Sequence, residues 1–410
     1  MTNNRTVILT GSGAAIPWGA PKTSDITDAF LTDRTFRSDT GQPLAAWIYH
    51  KLIGFYHIDP ETVTFETIIN ALDYLNTFFS SKQTSGVSKF KNLMPVFFRE
   101  KDDLSELLSF DRIYGERKDM WWESKNDQYK FYYSWNDTDM FFESIYRYFI
   151  NLTIKQIELY AKQSEKKTEL NNSLNNFLNT IQNPLRCYTI NYDRIIPAGY
   201  HGEIFEGFTP VGEDLKFDLK RVLTDEMTNC HYNLHGSVHY EQDWPGNVQL
   251  VPDKYIYDFG RGASNHTDQD KRKMINSNII TGFNKTSRLL TNPYSQFYQR
   301  FYQDCLFADK IYIIGYSFGD IHINSAIKSG SLVNKDMKII CVDYVNFGQD
   351  MELETEHDWV DLEERGNRFL PMDFQHSIFE SIVDKANLNR IIVYIKGYQK
   401  FLECKQWEKE

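Results

Sequence analysis

The sequence lacks the features that mark secreted, metal-dependent and membrane proteins. Its five cysteines are scattered, and no two of them form a CxxC pair. This distribution argues against a disulfide framework and against a cysteine-type zinc site. No stretch approaches the ~18 consecutive apolar residues of a membrane helix, and the apolar run at residues 7–9 is too short for the core of a secretion signal. We therefore expect a cytoplasmic protein with no membrane segment.

Basic residues are also fewer than acidic residues. The chain has 45 Lys and Arg residues against 56 Asp and Glu residues, a formal net charge of −11. Because nucleic-acid binding depends on Lys and Arg neutralising phosphates, we expect no direct contact with nucleic acid. Aromatic residues, in contrast, make up 15% of the 410 residues. A chain of this length and composition can bury a large core without disulfide bonds.

Short apolar runs bounded by Gly, Asn or Asp recur along the chain. Most lack polar–apolar alternation, which is typical of strands buried on both faces of a parallel sheet. Helical patterns between several of the runs predict an α/β fold with a doubly wound, Rossmann-like parallel sheet. The six predicted strands are residues 6–10, 186–190, 232–234, 310–314, 338–342 and 390–395.

The first two predicted strands are separated by a long stretch with helical periodicity. Apolar residues recur there at three- and four-residue steps, over 65–79 and again over 142–154. Aromatic residues between 121 and 135 are interpreted as helical core, with a partner surface or a ligand lid as the alternatives. The predicted parts are a discontinuous nucleotide-binding core over 1–39, 183–240 and 305–400, a mostly helical insertion over 40–182 and a connector over 241–304.

A loop of small residues, GSGAA over 11–15, follows the first predicted strand. Open α/β sheets bind ligands at the carboxyl ends of their strands. Small side chains there let backbone N–H groups approach a diphosphate, and the N-terminus of a following helix favours the anion. The third glycine of GxGxxG is missing at the required step, so by itself the loop fits a plain tight turn equally well.

Polar residues follow three further predicted strands. Asn191 and Asp193 lie in the segment TINYD, where an Asx turn closing the strand is the alternative. His235 lies in LHGS; an imidazole beside a glycine can face a cleft and titrate near neutral pH, although an isolated His is more often a satisfied core residue. Gly315 and Ser317 lie in GYSFGD, directly after an apolar strand.

Two other kinds of site fit parts of this pattern less well. Ser317 within Gly-x-Ser-x-Gly fits a hydrolase nucleophile elbow, but the triad then requires His376 as the base. His231, His235 and His239 are spaced by four and would share a face on a helix, but the intervening residues are poor helix formers. We expect no metal site.

In this order, the four motifs GSGAAIPWGAP, TINYD, LHGS and GYSFGD resemble the sirtuin-like family, and most of all the sirtuin-like NAD⁺ hydrolases of bacterial antiphage defence. The resemblance covers the core in pieces and leaves the insertion and the connector unmatched. It implies that Asn191 holds the ribose hydroxyls and the attacking water, and that His235 is the general base. Asp193 falls on the residue that faces the nicotinamide amide.

The resemblance also implies how NAD⁺, the expected substrate, is held. Residues 11–15 correspond to the family's phosphate loop. Gly315 and Ser317, in the motif GYSFGD, correspond to a second dinucleotide contact. Asp343, at the end of the next predicted strand, is placed to reach the adenosine ribose. The implied nucleotide-binding residues are Gly11, Ser12, Gly13, Ala14, Ala15, Asp193, Gly315, Ser317 and Asp343.

The resemblance has departures that bear on the activity. Ala15 stands where the family usually has Ser, and the cysteine quartet of the zinc-binding deacylases is absent, which disfavours a deacylase. The implied reaction is hydrolysis of NAD⁺ to nicotinamide and ADP-ribose by a latent effector of antiphage defence. Latency implies a homo-oligomer, or a separate sensor or ATPase subunit. A non-catalytic NAD- or ADP-ribose-binding subunit, and a protein deacylase or ADP-ribosyltransferase, remain the alternatives.

Overall fold

The computed structural model describes most of the predicted core and part of the predicted insertion. The described residues are 5–38, 40–56, 59–81, 138–164, 166–181, 184–242, 247–256, 265–267, 273–275, 277–281, 289–344, 359–361 and 390–409. The aromatic residues predicted as helical core over 121–135, and His376, lie outside these ranges.

The described strands and helices alternate along much of the chain. The strands are β1 (Thr6–Thr10), β2 (Arg186–Thr189), β3 (Phe208–Val211), β4 (Asp214–Phe217), β5 (Cys230–Asn233), β6 (Tyr240–Gln242), β7 (Val248–Leu250), β8 (Asn265–Thr267), β9 (Lys273–Ile275), β10 (Lys310–Ile314), β11 (Lys338–Val342), β12 (Trp359–Asp361) and β13 (Ile391–Tyr394). The α-helices are α1 (Ser12–Ala15), α2 (Thr23–Thr32), α3 (Leu44–Tyr56), α4 (Phe65–Ser81), α5 (Thr138–Ser164), α6 (Thr168–Thr180), α7 (Ile195–Gly199), α8 (Leu219–Thr224), α9 (Tyr294–Leu306), α10 (Ile321–Val333) and α11 (Gly397–Glu403).

A seven-stranded sheet in the order β12-β13-β11-β10-β1-β2-β5 forms the centre of the described structure. All neighbouring pairs are parallel except β12 with β13, so β12 is an antiparallel edge strand. The six parallel strands are the six predicted from the sequence, with bounds that agree to within two residues. Numbered along the chain, they stand in the order 3-2-1-4-5-6 of the doubly wound dinucleotide-binding folds. The predicted Rossmann-like parallel sheet is confirmed.

Both faces of this sheet are buried, which explains why the strands lack alternation. In β1, Ile8 faces one core, whereas Val7 and Leu9 face the other, and all three are fully buried. The first core includes residues of α2 to α6 and of α11, and the second includes residues of α9 and α10. Because successive side chains of a strand point to opposite faces, a strand between two layers must be apolar on both.

The described elements between β1 and β2 are all helical. The apolar periodicity of α4 and α5 corresponds to buried positions such as Ile68, Leu72, Ile145 and Phe149. These side chains belong to the same core as Ile8 of the central sheet. The described helices of the predicted insertion therefore cover one face of the sheet.

The stretch predicted as a connector contains regular structure in its described parts. Strand β7 and the end of β6 belong to a small antiparallel sheet in the order β3-β4-β7-β6. Helix α9 begins at Tyr294, within this stretch, and packs on the second face of the central sheet through Phe297 and Phe301.

The longest described helix is α5, with 27 residues. Neither it nor any other helix in the described ranges combines the length and the apolar character needed to cross a membrane.

Candidate functional site

The order of the parallel strands reverses between β1 and β10, which are neighbours in the sheet. Open α/β sheets bind ligands in the crevice at such a switch point, outside the carboxyl ends of the strands. The loop after β1 contains the GSGAA segment, and the loop after β10 contains GYSFGD. Two of the four motifs therefore meet at the switch point of the sheet.

The two loops touch backbone to backbone. The N–H groups of Gly11 and Gly13 donate 2.9 Å hydrogen bonds to the carbonyl oxygens of Ile314 and Gly315. A Cβ atom on Gly11 would lie 2.5 Å from the Gly315 carbonyl oxygen, and one on Gly315 would lie 2.2 Å from the Ala14 nitrogen. Helix α1, after Gly11, has only four residues. The glycines thus permit the close packing of the loops. The N–H groups of Gly11 and Gly13, which we expected to face a diphosphate, are instead hydrogen-bonded in this contact.

Gly315→Ala is expected to destabilise the protein more than Gly212→Ala. Both glycines have positive φ angles, +60° and +67°, so an alanine is strained at either position. A Cβ at Gly212 meets nothing within 4 Å, whereas one at Gly315 collides with the backbone of the β1 loop. Overpacking of this kind adds about 1–3 kcal/mol to the loss of unfolding free energy, measurable by urea denaturation. Equal losses for the two variants would contradict the loop contact.

A cavity of about 490 Å³ opens beside these loops. This volume falls within the range of about 300–1,000 Å³ of small-molecule sites. Each of the four motifs contributes to its wall, through Ser12, Asn191, His235 and Ser317. The complete lining is Ser12, Ala15, Ala20, Pro21, Thr23, Ile26, Thr64, Phe65, Glu66, Ile157, Tyr160, Ile190, Asn191, Tyr192, His235, Ser317, Gly319 and Asp320.

Asn191 is held at the cavity wall by three hydrogen bonds. Its side-chain nitrogen Nδ2 donates to the carbonyl oxygen of Gly11 over 2.9 Å, and its backbone N–H donates to Oγ1 of Thr189 over 3.0 Å. Its backbone carbonyl accepts from Nδ2 of Asn233 over 3.0 Å. Because a carbonyl partner requires a donor, the amide nitrogen must face Gly11. The oxygen Oδ1 is then the atom of this amide that remains to accept a hydrogen bond from a ligand hydroxyl or a water.

His235 also lines the cavity, with 2% of its surface exposed. Its carbonyl oxygen accepts a 2.7 Å hydrogen bond from the N–H of Ile280, which fixes the backbone of the turn after β5. Its Nε2 atom is 3.9 Å from Oδ1 of Asp320. The two side chains form an ion pair only when the imidazole is protonated.

Asp320, like Gly319, is a lining residue of GYSFGD that the sequence did not single out. It immediately precedes α10, and its backbone N–H donates a 2.9 Å hydrogen bond to the hydroxyl of Tyr316. The Tyr316 hydroxyl also donates to Oδ1 of Asn324 over 2.9 Å, so the loop is fastened to the first turns of α10. An acidic residue between a strand and a helix was the available signal, but its proximity to His235 depends on the sheet order.

Asp193 is not part of the lining of this cavity. It is 4% exposed and borders a smaller cavity of about 20 Å³ together with Ala14, Asn191 and His231. Its Oδ2 accepts a 2.5 Å hydrogen bond from the Tyr160 hydroxyl. Its Oδ1 accepts one of 3.0 Å from the N–H of Ile195. Burial raises the pKa of the Asp193 carboxyl, and these hydrogen bonds oppose the rise.

Asp343 also lies outside the lining of the large cavity. It follows β11, the neighbour of β10 on the side away from β1, and its Oδ1 accepts a 2.7 Å hydrogen bond from the N–H of Tyr344. Burial raises the pKa of its carboxyl to about 6. Of the residues predicted for the site, those that line the large cavity are Ser12, Ala15, Asn191, His235 and Ser317.

The predicted insertion supplies a wall that the motifs did not indicate. Thr64, Phe65 and Glu66 line the cavity from the start of α4, and Ile157 and Tyr160 line it from α5. Periodicity identified α4 and α5 as helices. It did not show which turn of each helix lies over the switch point, because that depends on long-range packing.

The cavity wall is negatively charged. Its carboxylates are Glu66 and Asp320, and the described lining contains no Lys or Arg. Burial first, then the charges of Glu66 and Asp320, raise the pKa of the Tyr192 phenol, which also lines the cavity. Such a wall favours a cationic or hydroxyl-rich part of a ligand over a phosphate.

The two alternative sites are not supported by the described geometry. His231 is on strand β5, and His235 and His239 are in the turns that follow, so their spacing does not place them on one helix face. Burial lowers the pKa of His231 to about 3 and that of His239 to about 4, with the Arg194 charge acting in the same direction. The positive φ angles of the β10 loop fall on residues 315 and 318, so Ser317 is not the strained residue that the alternative nucleophile elbow requires.

Comparisons with known proteins add no assignment. No protein-family model matches the chain. No curated protein matches it either.

Proposed function

We propose that the chain hydrolyses NAD⁺ to nicotinamide and ADP-ribose. The observation that carries the proposal is the convergence of Ser12, Asn191, His235 and Ser317, from four separated segments, on one cavity at the sheet's switch point. The order of these segments, which resembles that of the sirtuin-like NAD⁺ hydrolases, supports the choice of NAD⁺. Dinucleotides bind at this position in sheets of the same strand order.

The residue types suit the departure of nicotinamide. In NAD⁺ the nicotinamide nitrogen carries a positive charge, and the electron pair of the C1′–N bond neutralises it as the bond breaks. No general acid is needed, but positive charge develops at the ribosyl centre. The carboxylates of Glu66 and Asp320 in the cavity wall provide negative potential where this charge forms.

Water then completes the reaction. Its oxygen bonds to C1′, and the proton it loses passes to the imidazole of His235. Asp320, 3.9 Å from Nε2, stabilises the imidazolium that results. Asn191, with its Nδ2 anchored on Gly11, presents Oδ1 to orient the ribose hydroxyls and the water.

The biological role we propose is that of a latent effector in bacterial antiphage defence, acting in the cytoplasm by depleting NAD⁺. The resemblance supports this role, as does the part that the insertion takes in the wall of the cavity. An enzyme of this kind must be inactive before infection. We therefore propose control through a homo-oligomer or through a separate sensor or ATPase subunit.

The test is incubation of the purified protein with NAD⁺, with nicotinamide and ADP-ribose quantified for wild type, Asn191→Ala and Asn334→Ala. Asn334 is a matched control, because its Nδ2 also donates a 2.9 Å hydrogen bond to a backbone carbonyl, that of Ala308, at the other end of the sheet. We expect both products from wild type and Asn334→Ala, and at least about tenfold less from Asn191→Ala.

Each alternative activity gives a different result in the same assay. Tight NAD⁺ binding without products, in the presence of the partner subunit as well, would indicate a non-catalytic nucleotide-binding protein. Products that form only with an acylated peptide or an acceptor protein would indicate a deacylase or an ADP-ribosyltransferase. Absence of NAD⁺ binding would overturn the proposal.

A further inference from the structure

The described helices of the predicted insertion, which cover one face of the sheet, are called here the helical layer. Tyr160 connects this layer to the loop that carries Asn191. Its hydroxyl donates a 2.5 Å hydrogen bond to Oδ2 of Asp193, 33 residues further along the chain. Tyr160 is 6% exposed and Asp193 is 4% exposed, so the bond is shielded from water. Tyr160 belongs to α5, whereas Asp193 follows β2. The bond joins the helical layer to the carboxyl edge of the sheet.

Asp193 passes this restraint to the rest of the loop. Its Oδ1 accepts from the N–H of Ile195, the first residue of α7, over 3.0 Å. Its backbone carbonyl accepts from Nδ2 of Asn233 over 2.9 Å, and the same nitrogen donates to the carbonyl of Asn191 over 3.0 Å. Asn191 and Asp193 are thus fastened to one amide, and Tyr160 supplies the restraint from outside the sheet.

We propose that Tyr160 is a positioning residue through which helix α5 sets the orientation of Asn191, an inference that rests on the NAD⁺ hydrolysis proposed above. Helix α5 also lines the cavity through Ile157 and Tyr160, so it contacts both the substrate space and the loop. A displacement of α5 breaks the bond to Asp193 and lets the loop move.

Removal of the Tyr160 hydroxyl takes a hydrogen bond away from the buried carboxylate of Asp193, and this loss is the reason that we expect a lower kcat. Burial of Asp193 disfavours its charged form, and the Tyr160 hydroxyl is one of the groups that offset this cost. Without the hydroxyl, the buried carboxylate lacks one of its hydrogen bonds, and a shift towards water lowers this cost. Such a shift displaces the loop as well. Because catalysis depends on the placement of Asn191, a small shift of the loop lowers kcat.

The experiment compares Tyr160→Phe with Tyr148→Phe in the full chain. Tyr148 lies on the same helix and donates a 2.6 Å hydrogen bond to Oδ2 of Asp33, so its variant loses the same kind of bond away from the cavity. Three quantities are measured for each variant: thermal stability, kcat and KM for NAD⁺, and amide hydrogen exchange of residues 190–196.

For Tyr160→Phe we expect kcat to fall by about tenfold, KM to change by less than about threefold, and exchange over 190–196 to become faster. Tyr148→Phe should leave kcat and this exchange at wild-type values even if its stability falls. Equal exchange over 190–196 in the two variants, or an unchanged kcat in Tyr160→Phe, would overturn the positioning role.

The two proposals fail in different ways. If wild-type protein with its partner hydrolyses no NAD⁺, the proposed function fails. Exchange requires no turnover, so it still decides whether Tyr160 restrains the loop. If wild type is active and Tyr160→Phe differs from it only in stability, the function stands and the positioning role is wrong.

Discussion

Hydrolysis of NAD⁺ is expected to fall by about 10²–10⁴-fold in kcat when His235 is replaced by alanine, because this is the usual contribution of a general base. His235 is the histidine in the wall of the cavity, and no other described lining side chain has an imidazole to accept the proton of the attacking water. The measurement is steady-state formation of ADP-ribose at saturating NAD⁺. Binding of NAD⁺ should be largely retained, since the lost group acts on the water.

Two further variants separate catalysis from structure. His239→Ala removes a histidine that is 7% exposed and lies outside the cavity lining, with its Nδ1 2.8 Å from the Lys254 carbonyl oxygen. We expect it to lose stability while its turnover stays within a few-fold of wild type. Asp320→Asn should lose less turnover than His235→Ala, because the imidazole that accepts the proton of the water is still present and Glu66 still contributes a negative charge to the cavity wall. A His235→Ala protein as active as His239→Ala would exclude His235 as the base.

The free energy of unfolding is expected to fall by about 3–5 kcal/mol in Asp304→Asn, because removing one partner of a buried ionic network leaves uncompensated charge. Asp304 is fully buried. It pairs with Arg5 at 3.0 Å, Arg186 at 2.6 Å and Arg300 at 3.2 Å, and it accepts a short hydrogen bond from the Tyr188 hydroxyl. Urea denaturation measures the loss.

The network joins elements at the amino ends of the strands. Arg5 precedes β1, Arg186 is the first residue of β2, and Asp304 lies in the last turn of α9. The cavity is at the carboxyl ends, so Asp304→Asn protein that remains folded should hydrolyse NAD⁺ at the wild-type rate.

The control for this network is an exposed ion pair. Asp214 is 3.7 Å from Lys216, and both side chains are about half exposed. Asp214→Asn should cost no more than about 1 kcal/mol, because water already solvates the pair. A loss in Asp304→Asn as small as that in Asp214→Asn would show that the buried network is not a major source of stability.

Much of the central sheet was predictable because burial on both faces leaves a local signal. A strand between two layers must be apolar at successive positions, so β1, β10 and β11 could be located to the residue. The antiparallel edge strand β12 has three residues, and the strands of the small sheet have three or four. The strands of the small sheet also have partly exposed positions, so they do not form the continuous apolar runs by which the strands of the central sheet were found.

The polar residues at the strand ends could be chosen from the sequence, but their arrangement could not. Asn191 and His235 follow predicted strands, and parallel strands end at the same edge of a sheet. That both line one cavity depends on β1 lying between β2 and β10. The same sheet order brings Asp320 to 3.9 Å from His235 and leaves Asp343 away from the cavity.

Residue types and their local periodicity were sufficient to identify the strands, several helices and the polar residues at the strand ends, because each of these depends on neighbours within a few positions. The tertiary structure was needed for the strand order, the interlocked glycine loops, the wall formed by α4 and α5, and the bond from Tyr160 to Asp193. Each of these is a contact between segments far apart in the chain. A local pattern of residues does not determine which distant segment packs against it.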